Sequence, residues 1–182
     1  MFILYALVIG IVVGFLAGGR PMGLANLHLA WAPLMLAGLL LQVALFSDAV
    51  AARVGDLGPL LYVGSTLLVV VAVVRNVRLA GMPIVAAGAT CNLAAIVTNG
   101  GYMPASREAL AAIHHGEAVV YSNSAVLAQP MLPWLTDIFA LPRWLPWTNI
   151  FSVGDVLIAV GVAVVIVAAM RTPALPAGAP AH

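Results

Sequence analysis

The 182-residue chain is 64% apolar and only 7% charged, with seven Arg, no Lys, six acidic residues and a formal net charge of +1. A soluble domain carries roughly 25% charged residues, so this chain has too few polar side chains to cover a water-facing surface; its mean hydropathy of +1.12 also excludes disorder and coiled coil. With no basic cluster, nucleic acid is not expected as a partner, and the single cysteine, Cys91, excludes an internal disulfide, a CxxC redox centre and a thiolate zinc site.

Five apolar stretches approach the roughly 20 residues needed to cross a hydrocarbon layer. They are Phe2–Ala17, His28–Phe46, Pro59–Val74, Leu79–Thr98 and Ser152–Met170. The runs are continuous rather than alternating, which predicts helices and no β-sheet. The first run has no positive residue before it, and its first charge, Arg20, follows it. That order favours a retained helix with an outside N-terminus over a cleaved secretory signal. Gly10, Gly14 and Gly18 recur at every fourth residue, a stripe for close backbone approach within the bundle or across a homodimer seam.

On the second stretch His28, Met35 and Gln42 are seven apart, and on the fourth Gly88, Asn92 and Asn99 share a face. Polar side chains avoid lipid, so these stripes are expected to hydrogen-bond between helices or to line a wet cavity. There is no second span histidine for a haem pair, and His114 and His115 are adjacent in a polar loop. No metal and no cofactor are expected. The fourth stretch ends in Asn99-Gly100-Gly101-Tyr102-Met103-Pro104. Two glycines and a proline predict a tight turn at the membrane surface, with Tyr102 in the interface. Asn99, Gly100, Gly101 and Tyr102, together with Asn92, Arg143 and Ser152, are candidate contacts to a headgroup or substrate.

An odd number of spans places the C-terminus in the cytoplasm. Arg20, Arg75, Arg78 and Arg171 then lie inside, and Arg53, Arg107 and Arg143 outside, in the sense of the positive-inside rule. The expected fold is all-α: an integral membrane bundle of five transmembrane helices with an outer-face interfacial loop between the fourth and fifth. Residues 1–171 form one transmembrane helical domain, and 172–182 a Pro/Ala-rich disordered tail.

The region with the most chemistry runs from Leu135 to Asp155. Prolines 130, 133, 142 and 146 prevent a regular helix, and Trp134, Trp144 and Trp147 suit the headgroup level. Asp155 stands in the first turn of the last helix, where an acid caps free backbone N–H groups. Asp137 meets it only if the intervening residues double back. Two carboxyls in a semi-apolar pocket share a proton and titrate apart, so one can activate water while the other polarises a carbonyl. The alternative is a plain helix cap at Asp155 with Arg143 neutralising Asp137.

Asp137-Ile138-Phe139 and Phe151-Ser152-Val153-Gly154-Asp155 resemble the two catalytic elements of lipoprotein signal peptidase (signal peptidase II), over about residues 130–170. Ser152 and Gly154 stand where that family has Asn and Ala. The resemblance implies a cofactor-free aspartic peptidase with Asp137 and Asp155 as the dyad. Over the whole chain, the Asn99–Pro104 turn and the Ser-x-Gly-Asp opening at Ser152–Asp155 resemble a family of small uncharacterised bacterial multipass proteins. That likeness implies a bacterial plasma-membrane location and does not point to any particular activity.

Three readings of function follow. The first is a non-catalytic accessory or assembly subunit of a membrane complex, with a membrane-protein partner or a homodimer formed through the first helix. The second is the signal-peptidase-II-like membrane aspartic hydrolase. The third is a small-solute transporter or channel lined by the His28/Gln42 and Asn92/Asn99 stripes. The lipid bilayer is the other expected partner.

Overall fold

The computed structural model describes residues 2–113, 124–146 and 148–172. His114, His115, Glu117, Trp147 and the tail from 173 onward lie outside the described residues. The helices are α1 (Phe2–Leu16), α2 (Ala32–Leu45), α3 (Asp48–Val54), α4 (Gly58–Arg75), α5 (Met82–Thr98), α6 (Arg107–Ile113) and α7 (Val153–Arg171). Four two-residue strands lie between α5 and α7: β1 (Met103–Pro104), β2 (Ser124–Ala125), β3 (Phe139–Ala140) and β4 (Ile150–Phe151).

Every predicted apolar stretch is a helix, and the protein is mostly helical. The second stretch starts later than expected. Pro33 sits in the first turn of α2, preceded by Trp31 in the left-handed region at φ 59°, and a proline there fixes the helix start. His28 therefore lies in the preceding turn, exposed, with Nδ1 2.9 Å from the Asn26 carbonyl oxygen. The expected His28/Met35/Gln42 face does not exist. Gln42 instead donates to Thr66 Oγ1 on α4 at 3.2 Å, while Asn92 faces α7, so the two polar stripes do not line one cavity.

Two helical runs, Ala52–Arg75 of 24 residues and Val153–Arg171 of 19, are long and apolar enough to cross a membrane. The others are shorter: α2, with 14 residues, rises about 21 Å against a hydrocarbon layer of about 30 Å. By length, two helices qualify where composition suggested five. The absence of sheet was also too strict an expectation. β1 pairs with β2 in parallel, and β3 with β4 antiparallel; pairs this short leave no periodic signal in sequence.

The long helices pack in the order α1, α7, α5, α4, α2. The last helix in the chain thus inserts between the first and α5. Glycines set its depth. A Cβ on Gly10 would lie 3.1 Å from the Cα of Ala163, and one on Gly14 would lie 2.4 Å from the Met170 sulfur. Both glycines are covered by α7 within the chain. Gly18 is not part of this seam: it turns the chain after α1 at φ 76° and faces open space. Against α5 the contact is closer still. Gly81 meets Gly161 and Gly88 meets Gly154, each backbone standing where a Cβ of the other would be. The shared seven-residue spacing on two antiparallel helices keeps both glycine pairs on one seam.

Two asparagines close the corners of the array in the same way. Asn76, just after α4, receives the Ala30 N–H on Oδ1 and donates Nδ2 to the Ala30 carbonyl, both at 2.8 Å. Asn99, just after α5, does the same with Met131, at 2.8 and 2.9 Å. Each also caps its own helix by donating to a carbonyl four residues back, Ala72 or Ala95. The side-chain amide acts as a peptide unit that holds a distant loop to a helix end. Replacing Asn99 with Leu leaves the Met131 groups unpaired and is expected to cost about 1–3 kcal/mol. Limited proteolysis checks the local effect: cutting within 126–134 rises in Asn99→Leu and stays unchanged in Asn76→Leu.

The two ends of the array differ in charge. The N-terminus of α1, the start of α4, the described residues of 99–113, 124–146 and 148–151, and the start of α7 share one end, where the Tyr5 hydroxyl donates to the Pro146 carbonyl and Gly101 packs on Pro59. Asp56, Glu108, Asp137 and Asp155 belong to this end. Arg20, Arg75, Arg78 and Arg171 follow or close α1, α4 and α7 at the other end, where no described acidic residue lies.

Candidate functional site

The prolines after α6 allow a single 3-10 turn, Pro133–Leu135, entered through Leu132 in the left-handed region at φ 50°. Thr136 Oγ1 donates to the Pro133 carbonyl at 2.7 Å and ends that turn. The chain then extends beside the residues after α5: the Asp137 N–H donates to the Pro104 carbonyl at 2.9 Å, and the Ser106 N–H to the Asp137 carbonyl at 3.0 Å. From there it doubles back. Phe139 pairs with Phe151 across β3 and β4, their rings stacked with centroids 5.5 Å apart. Past this return the chain enters the opening turn of α7, where the Asp155 charge acts on Asp137.

That opening turn is built locally. Ser152, fully buried, is the N-cap of α7; its Oγ accepts the Asp155 N–H at 3.0 Å, and Asp155 Oδ2 accepts the Ser152 N–H at 3.0 Å. This reciprocal capping box satisfies two free donors. Asn92, brought close by the Gly88–Gly154 contact, donates Nδ2 to Asp155 Oδ1 at 2.8 Å, and its Oδ1 lies 2.9 Å from Ser152 Oγ, a second acceptor for that hydroxyl. Helix cap and interhelical contact therefore converge on one carboxylate.

Asp137 is held differently. It is only 9% exposed, and among the described residues no donor reaches its carboxyl. Burial first, and the Asp155 charge second, push that carboxyl from its usual 3.8 up to about 7. Desolvation penalises the anion, and a neighbouring carboxylate adds to the penalty. The two acids are thus brought into electrostatic contact, with Tyr62 of α4 within reach of both charges. The Arg143 guanidinium donates to the carbonyls of Ala111 and Ala112 at the end of α6, so the simple ion-pair account of Asp137 is replaced.

Of the other candidate contacts, Asn92 and Ser152 join the carboxyl cluster. Asn99 does not: its amide is used up in the clasp on Met131. Gly100 and Gly101 turn the chain at φ 73° and 88°, with Gly101 pressed on Pro59 and Tyr102 exposed. The sequence reading missed Tyr62, whose carbonyl accepts both the Ser65 and the Thr66 hydroxyls at 2.8 Å. A run of three polar side chains within four residues of an apolar helix was the available signal. A cavity of about 410 Å³, walled by Pro104, Ser106, Glu108, Thr136 and Ile138 among others, is lined by both chain neighbours of Asp137 but not by Asp137 itself. Among the described residues no group of three His, Cys, Asp or Glu is placed to hold a metal.

No curated protein and no solved structure matches this chain. Residues 26–167, which carry both carboxyls, Asn92 and the two clasping asparagines, match the family described as Family of unknown function (DUF5317), and the chain belongs to that family.

Proposed function

We propose that this protein is a multipass bacterial plasma-membrane protein whose Asp137–Asp155 pair is the acid–base centre of an aspartic-type hydrolase at the outer face. The membrane reading is supported by the outward apolar faces of α1 and α2, with Leu16 83%, Val8 61%, Leu40 58% and Val43 69% exposed. Lipid is the medium in which such stripes cost nothing. Hydrophobic mismatch is met by local thinning of the bilayer around the shorter helices, which keeps a five-crossing bundle open to them. Four arginines at one end against three at the other (Arg53, Arg107 and Arg143) support an outside N-terminus and a cytoplasmic C-terminus.

The observation that carries the catalytic reading is the Asp137 carboxyl, buried and without a donor among the described residues, where burial and the Asp155 charge favour its protonated form. In peptide hydrolysis, protonated Asp137 donates to the scissile carbonyl oxygen while Asp155 takes a proton from the attacking water. Collapse of the tetrahedral adduct breaks the C–N bond: the Asp155 proton passes to the leaving amine, and one adduct hydroxyl re-forms the carbonyl by returning its proton to Asp137.

The test uses the full chain in nanodiscs with a fluorogenic lipidated peptide. Asp137→Asn and Asp155→Asn are each expected to lower kcat by about 10²-fold or more. Cleavage that persists in both variants, or no cleavage by the wild-type protein, overturns the reading. One observation favours a second reading, the non-catalytic subunit of a membrane complex: both Asp155 oxygens are already engaged in the cap and on Asn92. Its signature is co-purification of a defined membrane partner in mild detergent that survives Asp137→Asn.

A further inference from the structure

Asn92 lies within α5, one turn after Gly88, and its amide bonds two other side chains. Nδ2 donates to Asp155 Oδ1 at 2.8 Å, and Oδ1 lies 2.9 Å from Ser152 Oγ. Asn76 and Asn99 instead clasp backbone groups of distant loops. The Asp155 carboxylate fixes which way the Asn92 amide points, because the reverse orientation would set two acceptors face to face. Room for the amide comes from Gly154, the second residue of α7. The nearest atoms to a Cβ built there are the Asn92 Oδ1 and Cγ. Glycine is a poor helix residue, and here it admits the side chain that reaches both Ser152 and Asp155.

Neither helix packing nor capping requires this contact. The α5–α7 seam is closed by the Gly81–Gly161 and Gly88–Gly154 pairs, and Ser152 and Asp155 satisfy each other's N–H groups by themselves. What Asn92 adds is control of the carboxylate. An ionised carboxylate offers about four lone-pair sites. The Ser152 N–H and hydroxyl are directed at Oδ2, at 3.0 and 3.1 Å. Among the described residues Oδ1 has one donor, the Asn92 amide, so one of its sites stays open in a residue that is only partly buried. The Ser152 hydroxyl has one proton and two acceptors, Asp155 Oδ2 and Asn92 Oδ1. Ser152 is 0% exposed, so that proton needs an acceptor within the protein at all times. A protonated carboxyl accepts less well than the anion, and the Asn92 oxygen is the alternative within reach.

Resting on the hydrolase reading, we infer that Asn92 is the positioning residue of the carboxyl pair. Its Nδ2 holds Asp155 with one site of Oδ1 left for the attacking water, and its Oδ1 takes over the Ser152 hydroxyl when Asp155 gains the proton of that water. Oδ1 of Asp155 is then the atom that receives the proton and later gives it to the leaving amine. The cap of α7 stays satisfied in both charge states, so the acid can change its protonation without loosening the helix that carries it. Asn92 itself touches no substrate.

The test compares Asn92→Leu and Asn92→Asp with the wild-type full chain in nanodiscs, using the fluorogenic lipidated peptide and counting only folded protein. The leucine removes both contacts. The aspartate keeps the shape and the acceptor for Ser152 but sets a second acceptor against Asp155, and it carries the test should the leucine variant not fold. Each variant is expected to lower kcat about tenfold or more with KM within about twofold of the wild type. Asn76→Leu, which opens a clasp at the other end of the bundle, is expected to lower the thermal midpoint and leave kcat unchanged. An undiminished kcat in the Asn92 variants, a rise in KM without loss of kcat, or an equal loss of kcat in Asn76→Leu overturns the inference and leaves the carboxyl pair standing. A wild-type protein that cleaves nothing overturns both.

Discussion

Asp137→Asn is expected to stabilise the protein above pH 7 while it lowers the proposed hydrolysis by about 10²-fold or more. The sign follows from linkage. With the carboxyl at about 7 in the folded chain against its usual 3.8, the folded state holds a proton that the unfolded state has released between those values. Stability therefore falls as pH rises through that window and levels off above it. The asparagine variant lacks this slope. The two proteins should match near pH 4 and separate by on the order of a few kcal/mol by pH 8, read as thermal midpoints in one detergent across that range. Parallel pH profiles would mean that Asp137 is not a buried, unpartnered acid. Opposite effects of one substitution on stability and on activity are the mark of a group kept in an unfavourable environment for its chemistry.

Gly88→Ala is expected to separate α5 from α7. Its Cβ would lie 2.4 Å from the Gly154 carbonyl oxygen and 2.9 Å from the Ile158 nitrogen. Both are backbone atoms of one helix, so no rotamer change relieves the clash. Overpacking of this kind costs about 1–3 kcal/mol or more. It also draws Asn92 away from Asp155, so the loss extends to the carboxyl cluster. Gly64 gives the opposite result. It faces open space within α4, where alanine regains about 0.5–1 kcal/mol of the helix-interior penalty of glycine. Thermal unfolding of the two variants should move in opposite directions, and a Gly88→Ala protein as stable as the wild type would refute the tight glycine seam.

What the sequence determined by itself was local. Uninterrupted apolar runs placed α1, α4, α5 and α7 within three residues of their observed bounds, because helix formation and apolar content are read within a few turns of chain. The Ser152–Asp155 cap was legible for the same reason: its donors and acceptors are three residues apart. Pro33 was also present in the sequence, yet the start of α2 was misjudged because hydropathy continues smoothly through His28–Trp31 while backbone geometry does not. The two-residue strands were too short to leave a pattern. The Gly10/Gly14 stripe was readable, and so was the seven-residue spacing of Gly81/Gly88 and Gly154/Gly161. Which helix each faces was not, since a glycine states only that something comes close.

The tertiary structure decided everything that depends on one element meeting another. It turned Asn99 and Asn76 from polar residues at helix ends into clasps on Met131 and Ala30, and it aimed Arg143 at the end of α6. It also placed Asp137 within the field of the Asp155 carboxylate. The two acids are 18 residues apart in the chain, and their meeting rests on the β3–β4 return and on a backbone contact between α5 and α7 that only glycines permit. Their shared electrostatics arise from burial, which is a property of the packed array and belongs to no single segment.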